Sequence, residues 1–144
     1  MGIGIIARPL LASVFVSGGY NQVTQPGGRV KAVQQTLDKV PMDLGENGAE
    51  YLVKANGAIM AGAGATLALG VLPRLSAAAL IASLIPTTLI GHPFWTMDDP
   101  KARSINQSQV LKNLGLIGGL LLVAATGKKQ KTPKAPKQKS PKKK

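Results

Sequence analysis

The segment that decides the fold is ANGAIMAGAGATLALGVLPRLSAAALIASLIPTTLIG, residues 55–91, in which Arg74 is the single charged residue. It contains two apolar runs on either side of Pro73 and Arg74, and each approaches the roughly 20 residues that a helix needs to cross a bilayer. A helix of a soluble bundle would show a polar face about every 3.6 residues. Neither run has such a face, so the segment predicts two membrane-spanning helices joined by a short turn.

Two further charge-free stretches flank this segment, one after Arg8 and one after Lys112. The four stretches together predict an all-α membrane protein, a four-transmembrane-helix bundle with spans near residues 3–20, 54–72, 74–91 and 109–126. We interpret the first stretch as a retained span rather than a cleaved signal peptide, because it lacks a basic region before its apolar part and a clear cleavage site. Small residues four apart, such as Gly64 with Ala68 and Gly115 with Gly119, predict close helix packing.

The positive charge of the chain is concentrated at its C-terminal end. The formal net charge is +12, and nine of the 18 Lys and Arg residues lie in residues 128–144. We expect residues 1–127 to form the membrane domain and residues 128–144 to form a disordered, Lys-rich tail, which contains too little apolar surface to fold. Basic residues beside spans stay in the cytoplasm, so both termini are expected there. The expected partner of the tail is anionic lipid, because the tail lacks the Arg and aromatic residues that would favour nucleic acid.

The long loop between the first two spans has a helical pattern of its own. Val30, Val33, Leu37 and Val40 recur at helical spacing, and Pro41 follows them. The pattern predicts a short amphipathic helix in this first outer loop, lying on the membrane surface or capping the bundle. The alternative is an ordinary surface loop with a single helical turn.

Polar residues at the outer ends of the predicted spans form the candidate binding site. Four-helix topology would bring them to one depth. The candidate ligand residues are Lys54, Asn56, His92, Trp95, Lys112 and Asn113, and Asn21, Gln22 and Gln109 lie beside them at the helix ends. His92 and Lys112 can donate hydrogen bonds to a carbonyl group or an anion. The alternative is that each residue only marks where its helix meets water.

Arg8 is the charge expected within the membrane region. It either extends to the cytoplasmic headgroups or points into the bundle, where it would pair with a helix end or an anionic ligand. We assign no catalytic residue and no metal site. The absence of cysteine excludes a thiolate nucleophile or a disulfide from this chain.

Four motifs carry a resemblance to a known family. RPLL at 8–11, FVSGG at 15–19, GHPFW at 91–95 and QVLKNLGLIGGLLL at 109–122 together resemble the DoxX family of small bacterial membrane proteins. The resemblance implies a multi-pass protein of the bacterial cytoplasmic (inner) membrane, and it links the chain by name to a subunit of thiosulfate:quinone oxidoreductase. A shared fold does not by itself transmit a reaction, so whether the chain is an enzyme stays open.

The resemblance implies one function and leaves one main alternative. We expect a membrane-anchoring or quinone-interacting component of an oxidoreductase or respiratory assembly, with other membrane or redox subunits as partners. A quinone is the candidate cofactor, with His92, Lys112 and Asn113 around it and Trp95 stacked on its ring. The alternative is a non-catalytic scaffold or accessory subunit. Transport of a small anion is a third hypothesis, disfavoured because no span shows the broken-helix repeat of transporters.

Overall fold

The computed structural model describes residues 2–127, which form five helices and one short 3-10 turn. The helices are α1 (Gly4–Thr24), α2 (Gly27–Leu37), α3 (Gly48–Ala68), α4 (Pro73–Gly91) and α5 (Pro100–Thr126), and the turn is Phe94–Thr96. The predicted all-α class is therefore confirmed. The predicted disordered tail, residues 128–144, lies outside the described residues.

Two of the four long helices are apolar enough to cross a membrane by length and hydropathy. They are α4 with the turn after it, Pro73–Thr96, and α5, each with a mean hydropathy of 1.5 over its best window. α1 and α3 are 21 residues long, which is long enough to span. Arg8 in α1 and Lys54 in α3, together with glycines and amide side chains, lower the mean hydropathy of these two helices, so their membrane-spanning role stays a prediction.

Two helices extend beyond the starts of the predicted spans. α5 starts at Pro100 rather than near residue 109, because the Asp99 carboxylate accepts a hydrogen bond from the Ala102 amide at 2.9 Å and Pro100 takes the first helical position. α3 starts at Gly48 rather than near residue 54. The first turns of both helices are polar, so these helices begin before the apolar runs that define the predicted spans.

α1 and α3 pack antiparallel through glycines. A Cβ added at Gly19 would lie 2.5 Å from the Ala61 nitrogen and 2.5 Å from the Gly57 oxygen, and one at Gly64 would lie 3.0 Å from Val16 Cγ2. The backbones therefore meet directly at Gly19, as expected for helices that pack through small residues. Gly115 behaves differently, because a Cβ there would have no neighbour within 4 Å.

The bundle has a small core and an apolar outer surface. Phe15, Leu67, Leu80 and Leu120 are fully buried where α1, α3, α4 and α5 meet. Large apolar side chains are also exposed on the outside of these helices, including Leu10, Leu75, Leu111 and Leu122. An exposed apolar surface spread over several helices is the arrangement that a lipid environment favours.

α2 covers one end of the bundle. It packs against α3 and α4, so the predicted amphipathic helix exists and caps the bundle. It ends at Leu37, and Val40 is exposed beyond it. We call this end, with α2, residues 38–47 and residues 92–99, the loop end.

The opposite end holds the start of α1, the α3–α4 turn and the end of α5. The Arg74 side chain donates hydrogen bonds to the carbonyl oxygens of Gly127 at 2.8 Å and Ala125 at 3.1 Å. Arg8 Nη1 lies 3.1 Å from the position of a Cβ on Gly70. Since Gly127 immediately precedes the basic segment, we call this the tail end.

Candidate ligand cavity at the loop end

A cavity of about 510 Å³ lies inside the loop end, with all five helices contributing to its wall. Its inner part is apolar and includes Phe15, Met60, Leu84 and Leu116. Residues nearer the loops include Arg29 from α2, His92 after α4 and Lys112 from α5. The volume falls within the roughly 300–1,000 Å³ range of pockets that bind small molecules.

The charges around the cavity have one sign. Arg29 and Lys112 carry the positive charge, and His92 adds a titratable ring. Among the residues of 2–127 that line the cavity, none is Asp or Glu. The cavity therefore offers hydrogen-bond donors and cations to a ligand and is suited to a ligand rich in acceptor oxygens.

Asn56 joins three helices between the inner and outer parts. Its amide nitrogen donates to Gln22 Oε1 of α1 at 2.9 Å and to Thr87 Oγ1 of α4 at 3.0 Å. Its amide oxygen accepts from the Ser83 hydroxyl at 2.6 Å. Because each partner is at least partly buried, this cluster fixes the relative positions of α1, α3 and α4 at the depth of the cavity.

The hydrogen-bond directions within the cluster follow from one another. The Thr87 hydroxyl donates to the Ser83 carbonyl at 2.8 Å, so towards Asn56 it can only accept. The Asn56 nitrogen must then face Thr87, and its second hydrogen goes to the Gln22 oxygen. This leaves the Gln22 nitrogen on the other side, 3.2 Å from Met60 Sδ. The orientation of both amides is therefore determined by the network.

A second set of contacts ties α5 to α4. The Asn113 amide donates to Thr88 Oγ1 at 2.9 Å, and both residues are buried. Nearer the loops, His92 Nδ1 lies 2.9 Å from Asn106 Oδ1, and the Asn106 nitrogen donates to the Ala102 carbonyl. Because the Asn106 oxygen faces the ring, His92 Nδ1 carries the hydrogen in a neutral ring, which leaves Nε2 as an acceptor.

Four of the six residues predicted for the binding site line this one cavity, namely Asn56, His92, Lys112 and Asn113. Lys54 is not among the lining residues and forms an ion pair with Glu50 at 2.5 Å. Trp95 is also outside the lining and is 51% exposed, packed edge-on against Phe94 with ring centroids 5.2 Å apart. Arg8 lies at the tail end, away from the cavity.

The sequence assigned no role to Ser83, Thr87 or Arg29, and it placed Gln22 beside the predicted pocket without assigning it a contact. Gln22 is 4% exposed and lies on the same face of α1 as Phe15 and Gly19, seven and three positions away. A polar residue that continues a buried helical stripe is a signal for an interior contact. In α1, this pattern identifies Gln22 as a residue with an interior contact.

Comparison with known proteins finds a family match. The DoxX family model matches residues 4–93, which include α1 to α4 and the His92 position. No curated protein and no solved structure is matched by the chain. The match covers more than half of the 144 residues.

Proposed function

The chain belongs to the DoxX family, and from this premise we propose that it is a membrane-embedded, quinone-binding component of an oxidoreductase or respiratory assembly. The observation that carries the proposal is the cavity at the loop end, which combines an apolar inner part with amide and cationic donors. A quinone has a flat apolar ring with two acceptor oxygens. Its two kinds of surface correspond to the two parts of this cavity.

Lys112 is proposed to donate a hydrogen bond to a quinone oxygen, and His92 is proposed to do so from Nε2 as the imidazolium, because its neutral ring presents an acceptor there. Both line the cavity, and Lys112 has three donor hydrogens with no ion pair to a described carboxylate. The sequence hypothesis also placed the Trp95 ring on the quinone, but Trp95 does not line the cavity. The proposed site therefore does not include ring stacking by Trp95, and Asn56 and Asn113 shape the site.

The proposed setting is a bacterial cytoplasmic membrane crossed by α1, α3, α4 and α5. Even numbers of spans bring both termini to one side, and the basic residues 128–144 would hold that side in the cytoplasm. Arg8 and Arg74 lie at the tail end, which supports this orientation. Lysines close to an anionic leaflet contribute about 1 kcal/mol each, so anionic lipid is the proposed partner of the basic segment.

An alternative function is a scaffold or accessory subunit without a ligand. The open face of α5 favours it: a Cβ on Gly115 or Gly118 would meet no atom within 4 Å. Small residues on an outward face allow a helix of another subunit to approach closely. Purification in mild detergent, followed by mass spectrometry and an optical spectrum, would reveal a flavin or haem partner.

Quinone binding is tested with the single tryptophan of the chain. Decylubiquinone is titrated into the purified protein in detergent, and quenching of Trp95 fluorescence gives the dissociation constant. The double variant His92→Phe with Lys112→Met is expected to bind at least about tenfold more weakly, because it removes the Lys112 ammonium and the His92 ring nitrogens. Lys54→Met is the control, since Lys54 lies outside the lining. Equal affinity in the double variant would remove both residues from the site.

A further inference from the structure

Gln22 is a buried amide whose hydrogen-bonding capacity is only partly used. Its oxygen accepts from Asn56 at 2.9 Å. Its nitrogen has two hydrogens, and within residues 2–127 its one acceptor is the Met60 sulfur at 3.2 Å. A thioether is a weak acceptor, and a single sulfur cannot take both hydrogens in good geometry. At least one N–H of Gln22 therefore has no oxygen acceptor from the described chain.

The position of the Gln22 amide indicates what its missing hydrogen-bond acceptor is. Gln22 is 4% exposed, so bulk water has little access to it, and it lines the cavity. A buried donor without a good acceptor is costly, by about 1–3 kcal/mol, and proteins rarely retain one without a partner. The amide cannot relieve the deficit by turning over, because Asn56 would then face a second nitrogen.

We infer that Gln22 is a ligand-binding residue, and that its free N–H donates to a neutral carbonyl oxygen of the molecule that occupies the cavity. This rests on the proposed function and specifies the ligand: a carbonyl compound with an apolar body rather than a plain hydrocarbon or lipid chain. An amide donor binds a carbonyl without requiring charge on the ligand.

The test compares two ligands of similar size, one with carbonyls and one without. Decylubiquinone binding is followed by Trp95 fluorescence, and decylbenzene is used as a competitor. The measured quantity is the ratio of the two dissociation constants. In the wild type decylubiquinone is the tighter ligand, and in Gln22→Met, which keeps the side-chain length but removes the amide, this preference falls about tenfold.

Three further variants separate donation from packing. Gln22→Glu retains an oxygen for the Asn56 donor but lacks the amide hydrogens, so it loses the preference as Gln22→Met does. Met60→Leu removes the sulfur and leaves the Gln22 donor, so it retains the preference. Gln107→Met changes an exposed glutamine of α5 and leaves the preference unchanged. If Gln22→Met does not fold, the comparison of Gln22→Glu with Met60→Leu decides the same question.

The possible outcomes distinguish the inference from the function on which it rests. If the wild type binds decylubiquinone and the folded Gln22 variants keep the full preference, the inference is wrong and quinone binding stands. An equal loss in Met60→Leu would also overturn it, since packing rather than donation would then set the preference. If the wild type does not bind decylubiquinone, the inference about Gln22 and the proposed quinone binding are both wrong.

Discussion

Arg74 and Gly127 are joined at the tail end, where the Arg74 Nε–H donates to the Gly127 carbonyl oxygen across 2.8 Å. A second bond from the same guanidinium reaches the Ala125 carbonyl at 3.1 Å. The last carbonyls of a helix have no partners within the helix and carry the negative end of its dipole. The Arg74 side chain at the start of α4 therefore supplies donors to two carbonyl oxygens at the end of α5 and offsets the negative end of its dipole.

Replacing Arg74 by alanine is expected to destabilise the bundle by about 1–3 kcal/mol, because two carbonyls lose a charged donor. Arg74→Lys should retain part of the stability, since it keeps the charge but cannot make both bonds. Thermal unfolding in detergent measures the effect. Arg103→Ala, an exposed position on α5, is the control. Equal melting temperatures for Arg74→Ala and Arg103→Ala would contradict the prediction.

Gly19→Ala is expected to destabilise the α1–α3 pair by about 1–3 kcal/mol, because the added Cβ would overlap the Gly57 oxygen and force the helices apart. Gly118→Ala is the matched control, since nothing lies within 4 Å of its Cβ position and alanine favours a helix. Unfolding by a denaturing detergent compares the two variants with the wild type. A stable Gly19→Ala protein would show that the backbones do not meet at that point.

Asn56→Leu is expected to cost about 2 kcal/mol or more, because Gln22, Ser83 and Thr87 lose their shared partner in a buried setting. Asn56→Asp should be similarly harmful, as it keeps the acceptor for Ser83 but loses both donors. The melting temperature gives the stability, and Asn21→Leu, at an exposed position, is the comparison. The proposed network would be refuted by an Asn56→Leu protein as stable as Asn21→Leu.

The orientation can be tested by cysteine labelling, because the chain has no cysteine of its own. In intact cells, a maleimide that cannot cross membranes is expected to label Glu46→Cys and Asp98→Cys. Leu69→Cys and Ser140→Cys should react only after permeabilisation, since four spans put these two positions in the cytoplasm. Labelling of Leu69→Cys in intact cells would overturn the four-span topology.

The gaps between charges predicted the helices, because an apolar run without charge excludes most other structures. They did not predict the starts of α3 and α5, whose first turns are polar and depend on local capping at residues such as Asp99. The meeting of His92 with Lys112 around one cavity followed from the topology. The role of Gln22 could not be predicted from the topology. It depends on which amide atom of Gln22 faces Asn56, and only the surrounding hydrogen bonds determine that orientation.

The α1–α3 pairing has a consequence for synthesis of the chain. α1 ends at Thr24, and its main packing partner does not begin until Gly48. Ribosomes add about 5–20 residues per second, so the N-terminal helix is complete for seconds before the glycines of α3 emerge. During that interval Gln22 has no Asn56 to satisfy it. We therefore expect α1 to remain dependent on the insertion machinery until α3 is inserted. The pairing of α1 with α3 is then the step at which assembly most readily fails.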